Sequence, residues 1–230
     1  MLTLRKSSER GSANHGWLNS QHTFSFGSYY DPKHMGFSKL RVINDDLVTP
    51  GAGFATHGHR DMEIISYVLE GVIAHKDSQG NVKTLPAGEF QLMSAGSGIT
   101  HSEYNDSQQE PLKFLQIWIE PNVQRQTPGY QQKDFAQAEG LTHIISPDGV
   151  KGTLQIKQNA HLHQLILSPD KSLSFKPKLP RQYVHLIAGQ LQVSGETLSS
   201  GDGLQVTDEG ELNFVSVSEN PVRALVFELP

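Results

Sequence analysis

Two short motifs carry most of the chemistry that can be read from this chain: His57-Gly58-His59 and His101-Ser102-Glu103, each an i, i+2 pair of side chains able to ligate a metal. Successive side chains of a β-strand alternate faces, so a strand presents both members of such a pair on one side. If the two strands face each other across a narrow barrel, three imidazoles and one carboxylate converge. That set suits one divalent ion and leaves two positions of an octahedral shell open for substrate or dioxygen. Fe(II), Mn(II), Ni(II), Zn(II) and Cu(II) all accept such donors. Each ligating imidazole should also donate its other ring N–H to a carbonyl, carboxylate or water. One His-x-His among 11 histidines arises easily by chance. Two such pairs, each preceded by a glycine-bearing turn, are a stronger signal.

The elements that must position these residues read as strands. From about Leu40 onward, short apolar segments recur between Gly, Pro, Asn and Asp turn signals at the roughly 8 to 12 residue spacing of sandwiches and barrels. Ile64–Leu69 is β-branched and aromatic, Asp77–Asn81 has the composition of a hairpin tip, and Leu112–Ile119 is a strand that Pro121 ends. The Gln-rich segment 122–138, with Pro128 and Gly129, fits a linker better than a core strand. The second half repeats the rhythm at Leu154–Ile156, Leu162–Leu167, Tyr183–Ile187, Leu191–Val193 and Val222–Leu229. An all-β chain of two barrels is expected, residues 1–125 carrying the metal and residues 126–230 without a metal site, the halves being a diverged duplication.

Composition removes several classes of function. With 230 residues, 36% of them hydrophobic, the chain is long enough for two cores. A net charge of −5 and the lack of a basic run argue against direct nucleic-acid binding. There is no cysteine, so disulfide scaffolds, thiolate catalysis and cysteine-based zinc sites are excluded and any metal must be held by nitrogen and oxygen. Met1–Arg10 is polar and nowhere do about 18 apolar residues run together, so a cytoplasmic protein without membrane association is expected.

Gly51, His57, His59, Glu63 and Gly71 are similar to the first cupin motif, and Gly88, Gly96 and His101 to the second. The flanks Asn14–Leu18, His22–Phe26, Tyr29–Pro32, Leu40–Asp46 and Asp61–Glu63 resemble the signature of the pirin family. The resemblance implies two cupin, jelly-roll-like barrels in tandem (a bicupin), with one metal ion held in the first by His57, His59, His101 and Glu103. General cupins often take the motif-one glutamate, here Glu63, which stays in reserve; Ser94 stands where a proline is common, a departure from the general cupin form.

Bacterial pirins resemble quercetin 2,3-dioxygenases. That likeness implies an Fe(II)-favouring dioxygenase acting on a flavonol-like aromatic substrate and O2, with Glu103 as catalytic base. Phe54, Phe114 and Trp118 are expected to wall the substrate pocket. The alternative is a regulatory or redox-sensing pirin that acts through protein partners without turnover, and a third is a cupin isomerase or sugar-binding module. His161, His163 and His185 read as surface or packing histidines, and His15, His22 and His34 as structural ones in a segment that wraps the barrel.

Overall fold

Runs of β-branched and aromatic residues, interrupted every few positions by glycine or proline, make short strands and no α-helix, and a computed structural model describes residues 1–230 in these terms. The strands begin β1 (Leu2–Arg5), β2 (Gly11–Asn14), β3 (Leu18–His22), β4 (Leu40–Val48), β5 (Gly53–His59), β6 (Glu63–Glu70) and β7 (Val72–Asp77). They continue β8 (Val82–Pro86), β9 (Glu89–Ser94), β10 (Ile99–Asn105), β11 (Leu112–Ile119) and β12 (Gly129–Asp134). The second half supplies β13 (Gly140–Ser146), β14 (Leu154–Gln155), β15 (His161–Leu167), β16 (Ser172–Phe175) and β17 (Arg181–Ala188). Last come β18 (Gln190–Val193), β19 (Glu196–Ser199), β20 (Gly203–Thr207), β21 (Leu212–Ser216) and β22 (Val222–Leu229).

The chain divides into two units, one of residues 11–135 with 156–158, the other of residues 1–10 with 136–155 and 159–230. The division at Phe135 falls inside the Gln-rich segment 122–138. That segment is not merely a linker: its Gly129–Asp134 stretch is β12, which pairs with β9 from Gly129↔Ser94 to Asp134↔Glu89. Residues 1–10 change sides relative to a boundary at 125, because β1 pairs with β20 from Leu2↔Val206 to Arg5↔Gly203.

Each unit is built from two sheets. In the first, a seven-stranded sheet in the order β12-β9-β6-β11-β4-β3-β2 accompanies a four-stranded one, β5-β10-β7-β8. Register across the larger sheet sets side chains in lines, because residues directly opposite one another point to the same face. Leu18, Val48 and Leu112 form one such line, and Val42, Trp118, Ile64 and Met93 another. Between them runs a polar line of His22, Asn44, Gln116, Ser66 and Gln91, all buried. The apolar lines close the core at either end and leave the polar one facing the barrel's interior.

Gly53 is where the smaller sheet tolerates least change. It opposes Tyr104, and a Cβ there would lie 2.3 Å from the Glu103 carbonyl oxygen and 2.4 Å from the Tyr104 Cα. Backbone atoms cannot swing aside, so Gly53→Ala should force β5 away from β10 and destabilise the protein by on the order of 1–3 kcal/mol in urea unfolding. Gly58→Ala on the same strand, whose Cβ meets nothing nearer than 3.8 Å, should stay within about 0.5 kcal/mol of wild type.

Candidate metal centre

Alternation along β5 and β10 puts His57, His59, His101 and Glu103 on the inner face of the first barrel. His101 is the cross-strand partner of His57, and Ile99 that of His59. Between His101 and Glu103 the register slips, so that Glu103 opposes Phe54 and β5 carries the extra residue. Such a bulge re-aims side chains without breaking the sheet. At the bulge, the Ala55 carbonyl sits 2.8 Å from His57 Nδ1, the geometry of an Nδ1–H donor that leaves Nε2 facing inward.

The ring centroids of the three histidines lie 4.5 to 4.9 Å apart, and one nitrogen from each falls within 4.8 Å of the others. A second set within the same limit joins His101 and Glu103 to His75 on β7. The two sets share His101, and Glu103 enters through the second. His101 and Glu103 are only 1% and 2% exposed, yet both ring nitrogens of His101 and the Glu103 Oε2 have no hydrogen-bond partner. The other oxygen, Oε1, accepts from Ser66 Oγ at 3.1 Å. Burial, and then the neighbouring imidazoles, push the pKa of His101 down to about 3 and that of His59 down to about 4. Both rings therefore keep lone pairs free at neutral pH, as a metal requires.

His75 was missed in the sequence, although His75-Lys76-Asp77 has the same i, i+2 spacing as the recognised pairs. Its Nε2 donates to Asp77 Oδ2 at 3.1 Å, both side chains are fully buried, and its Nδ1 has no partner. Burial alone would raise the Asp77 carboxyl, but hydrogen bonds from His75, Asn81 and Gln79 outweigh it and hold it below the usual range. Glu63 is employed elsewhere: its Oε2 accepts from Ser94 Oγ at 2.8 Å and from the Lys157 N–H at 3.1 Å.

The three expected wall residues take different places. Phe54 borders a cavity of about 410 Å³ together with Trp17, His22, Asn44, Asp46 and Gln116. Phe114 packs behind it in the core, ring centroids 6.4 Å apart, and Trp118 stands edge-on to His59 at 5.1 Å. His15 and His22, expected to be structural, both border the same cavity. In the second barrel His163 donates from Nε2 to Glu228 at 2.8 Å and stacks on His143, while His185 is buried.

The sequence and the fold were compared with known proteins. Residues 3–119 match the family model described as Pirin, and residues 143–229 match that of the quercetinase C-terminal cupin domain. The protein named quercetin 2,3-dioxygenase of Escherichia coli K12 is 47% identical over 231 residues, covering 100% of this chain and 99% of that one. The pirin-like protein YhaK of the same strain is 36% identical over 236 residues, all of both chains. Among solved structures, the bacterial pirin YhhW of Escherichia coli in complex with nickel(II) superposes with a TM-score of 0.95 at 46% identity, covering 100% of this chain and 99% of that one.

Asp46, in the cavity wall, gives the site a measurable signature. Burial raises its carboxyl from 3.8 to about 7, helped by the charges of Asp45 and Glu103 and opposed by the Ser20 hydroxyl. The fold thus binds this proton more tightly than the unfolded chain does. The stability the proton confers is complete below about pH 4 and lost as pH rises through about 7. Asp46→Asn cannot ionise, so its stability relative to wild type in the metal-free protein should grow by on the order of 2 kcal/mol between pH 5 and pH 8. A difference that does not vary with pH in parallel urea titrations would show that the carboxyl is not held this way.

Proposed function

The chain belongs to the pirin family, and from that premise we propose that it is a metal-dependent dioxygenase that cleaves flavonols of the quercetin type with dioxygen. The observation that carries this reading is the set of buried donor atoms on His101 and Glu103 that no protein group satisfies, beside His57 and His59 and next to an aromatic cavity. Two cupin domains, a full-length relative named quercetin 2,3-dioxygenase and a nickel complex of a 46% identical pirin support it.

In this reading His57, His59, His101 and Glu103 hold one divalent ion. When bound, it supplies a Lewis-acidic centre for the flavonol and dioxygen. The Ala55 carbonyl fixes the tautomer of His57, and burial keeps His59 and His101 unprotonated. Ser66 holds one oxygen of Glu103, so the carboxylate presents the other in a fixed direction. Glu103 receives the proton that the 3-hydroxyl of the flavonol gives up. Phe54 and Trp118, lying against His57 and His59, shield the site from water and offer flat surfaces to an aromatic ring. His75, bound to Asp77 and packed against His101 at 5.5 Å between ring centroids, keeps that ring in place. Fe(II) is the ion we favour; the donor set is equally at home with nickel, manganese, zinc or copper.

Elemental analysis of the purified protein, followed by anaerobic reconstitution with each ion and measurement of quercetin-dependent oxygen uptake, tests the proposal. One equivalent of metal with uptake is expected. His101→Ala should lose the metal, Glu103→Gln should lower turnover at least about 100-fold, and His161→Ala in the second barrel should leave turnover unchanged. One equivalent of metal without uptake for any ion would instead favour a sensing or partner-binding pirin.

A further inference from the structure

We propose that Asp46 is a substrate-recognition residue: with Asn44 and Gln116 it forms a hydrogen-bonding wall that holds a hydroxyl of the flavonol ring system other than the 3-hydroxyl. The assignment rests on the flavonol reading above and adds the group that selects among flavonols.

The wall is built by register. Asn44 and Asp46 are an i, i+2 pair on β4, so both face the interior, and Gln116 on β11 stands directly opposite Asn44. Asn44 and Asp46 are each 1% exposed, and the Oδ1 atom of each lacks a hydrogen-bond partner. All three residues border the cavity of about 410 Å³, a size suited to a small organic ligand. The cavity is also lined by aromatic rings, with Trp17 edge-on to Phe54 at 5.1 Å between ring centroids.

The chemistry of the occupant follows from what surrounds these oxygens. No lysine or arginine borders the cavity, and Glu103 is close enough to act electrostatically on Asp46. A carboxylate or phosphate ligand would meet a carboxylate there, with no lysine or arginine to pair with it. A flat, uncharged molecule that donates hydrogen bonds from hydroxyl groups satisfies both the lone acceptor oxygens and the aromatic rings. Burial also holds the Asp46 carboxyl well above its usual range, so the fold gains no stability from ionising it. A group that costs stability and faces a cavity is characteristic of a ligand site.

The test compares quercetin with 3-hydroxyflavone, which keeps the 3-hydroxyl but lacks the others. Binding to the metal-loaded protein is followed under nitrogen at pH 8 by quenching of tryptophan fluorescence. Wild type should prefer quercetin by at least about 10-fold, and Asp46→Ala should abolish the preference while changing 3-hydroxyflavone affinity less than about 3-fold. Asp46→Asn, which keeps an acceptor oxygen without the charge, should fall between them and decides the matter should the alanine variant fail to fold. Equal loss of both ligands in either variant would reduce Asp46 to a structural role. No preference in wild type, or an unaltered one in the variants, would also overturn the assignment while leaving the flavonol reading intact. Wild type that binds neither ligand overturns the flavonol reading and this assignment together.

Discussion

Polar atoms that water cannot reach and that no protein group answers are the constraint around which the first barrel is organised. Both nitrogens of His101, the Nδ1 of His75 and one oxygen of Glu103 are buried without partners. Left so, each costs on the order of 1–3 kcal/mol. A single cation is the economical remedy for one nitrogen of His101 and the free oxygen of Glu103, because it accepts lone pairs from several directions at once and neutralises the carboxylate. Protons would not serve as well, since burial and mutual repulsion keep His59 and His101 from taking them up near neutral pH.

The fold meets this constraint with ordinary β-sheet rules. Alternation aims the members of each i, i+2 pair inward, antiparallel pairing of β5 with β10 sets His57 beside His101, and one bulge on β5 brings Phe54 opposite Glu103. The floor is the polar line from His22 through Asn44, Gln116 and Ser66 to Gln91, where Ser66 fixes Glu103. One register step along the sheet, Ser20, Asp46, Phe114 and Val68 lie opposite one another, so the wall passes from polar to apolar within a single line. The cavity takes its hydrogen-bonding groups from Asn44, Asp46 and Gln116 of this sheet and its aromatic ones from Trp17, Phe26 and Phe54.

What the sequence disclosed depended on locality. The pairs His57-x-His59 and His101-x-Glu103 are visible because strand alternation is a rule about neighbours, and most strands of both halves were visible for the same reason. His75 carries the same kind of spacing with Asp77, but its relevance comes from lying opposite Glu103, which only the β7–β10 register reveals. Asp46 was noticed as part of a signature and not as a wall residue, since its place depends on pairing with Ser20 and Phe114. Placing residues 1–10 in the first barrel failed on the longest-range pairing in the chain. A four-residue strand at one end has no local mark that it will join β20, some two hundred residues away.

The second barrel is an internal control for this account. Its sheets repeat the order of the first: β20-β17-β22-β15-β13 answers β9-β6-β11-β4-β3, and β19-β18-β21-β16 answers β8-β7-β10-β5. At the free edge, β1 pairs with β20 as β12 pairs with β9. The strands match, but the inward residues do not. Where β4 carries Asn44 and Asp46, opposite Gln116 and Phe114, β15 carries His163 and Leu165, opposite Val226 and Ala224. Where β10 carries His101 and Glu103, β21 carries Leu212 and Phe214; these and Leu165, but not His163, join Val184, Leu186, Leu204, Val206, Ala224 and Val226 of β17, β20 and β22 in one apolar cluster. Burying a leucine- or valine-sized side chain stabilises a fold by about 1.5–3 kcal/mol, so the second barrel gains from its interior what the first gives up. The same strand arrangement closes in both cases, and the topology therefore does not require the polar floor. The floor lies beneath the His101 and Glu103 donors and holds one of them through Ser66, and a divalent ion bound only by the folded state would supply stability that an apolar interior would have given.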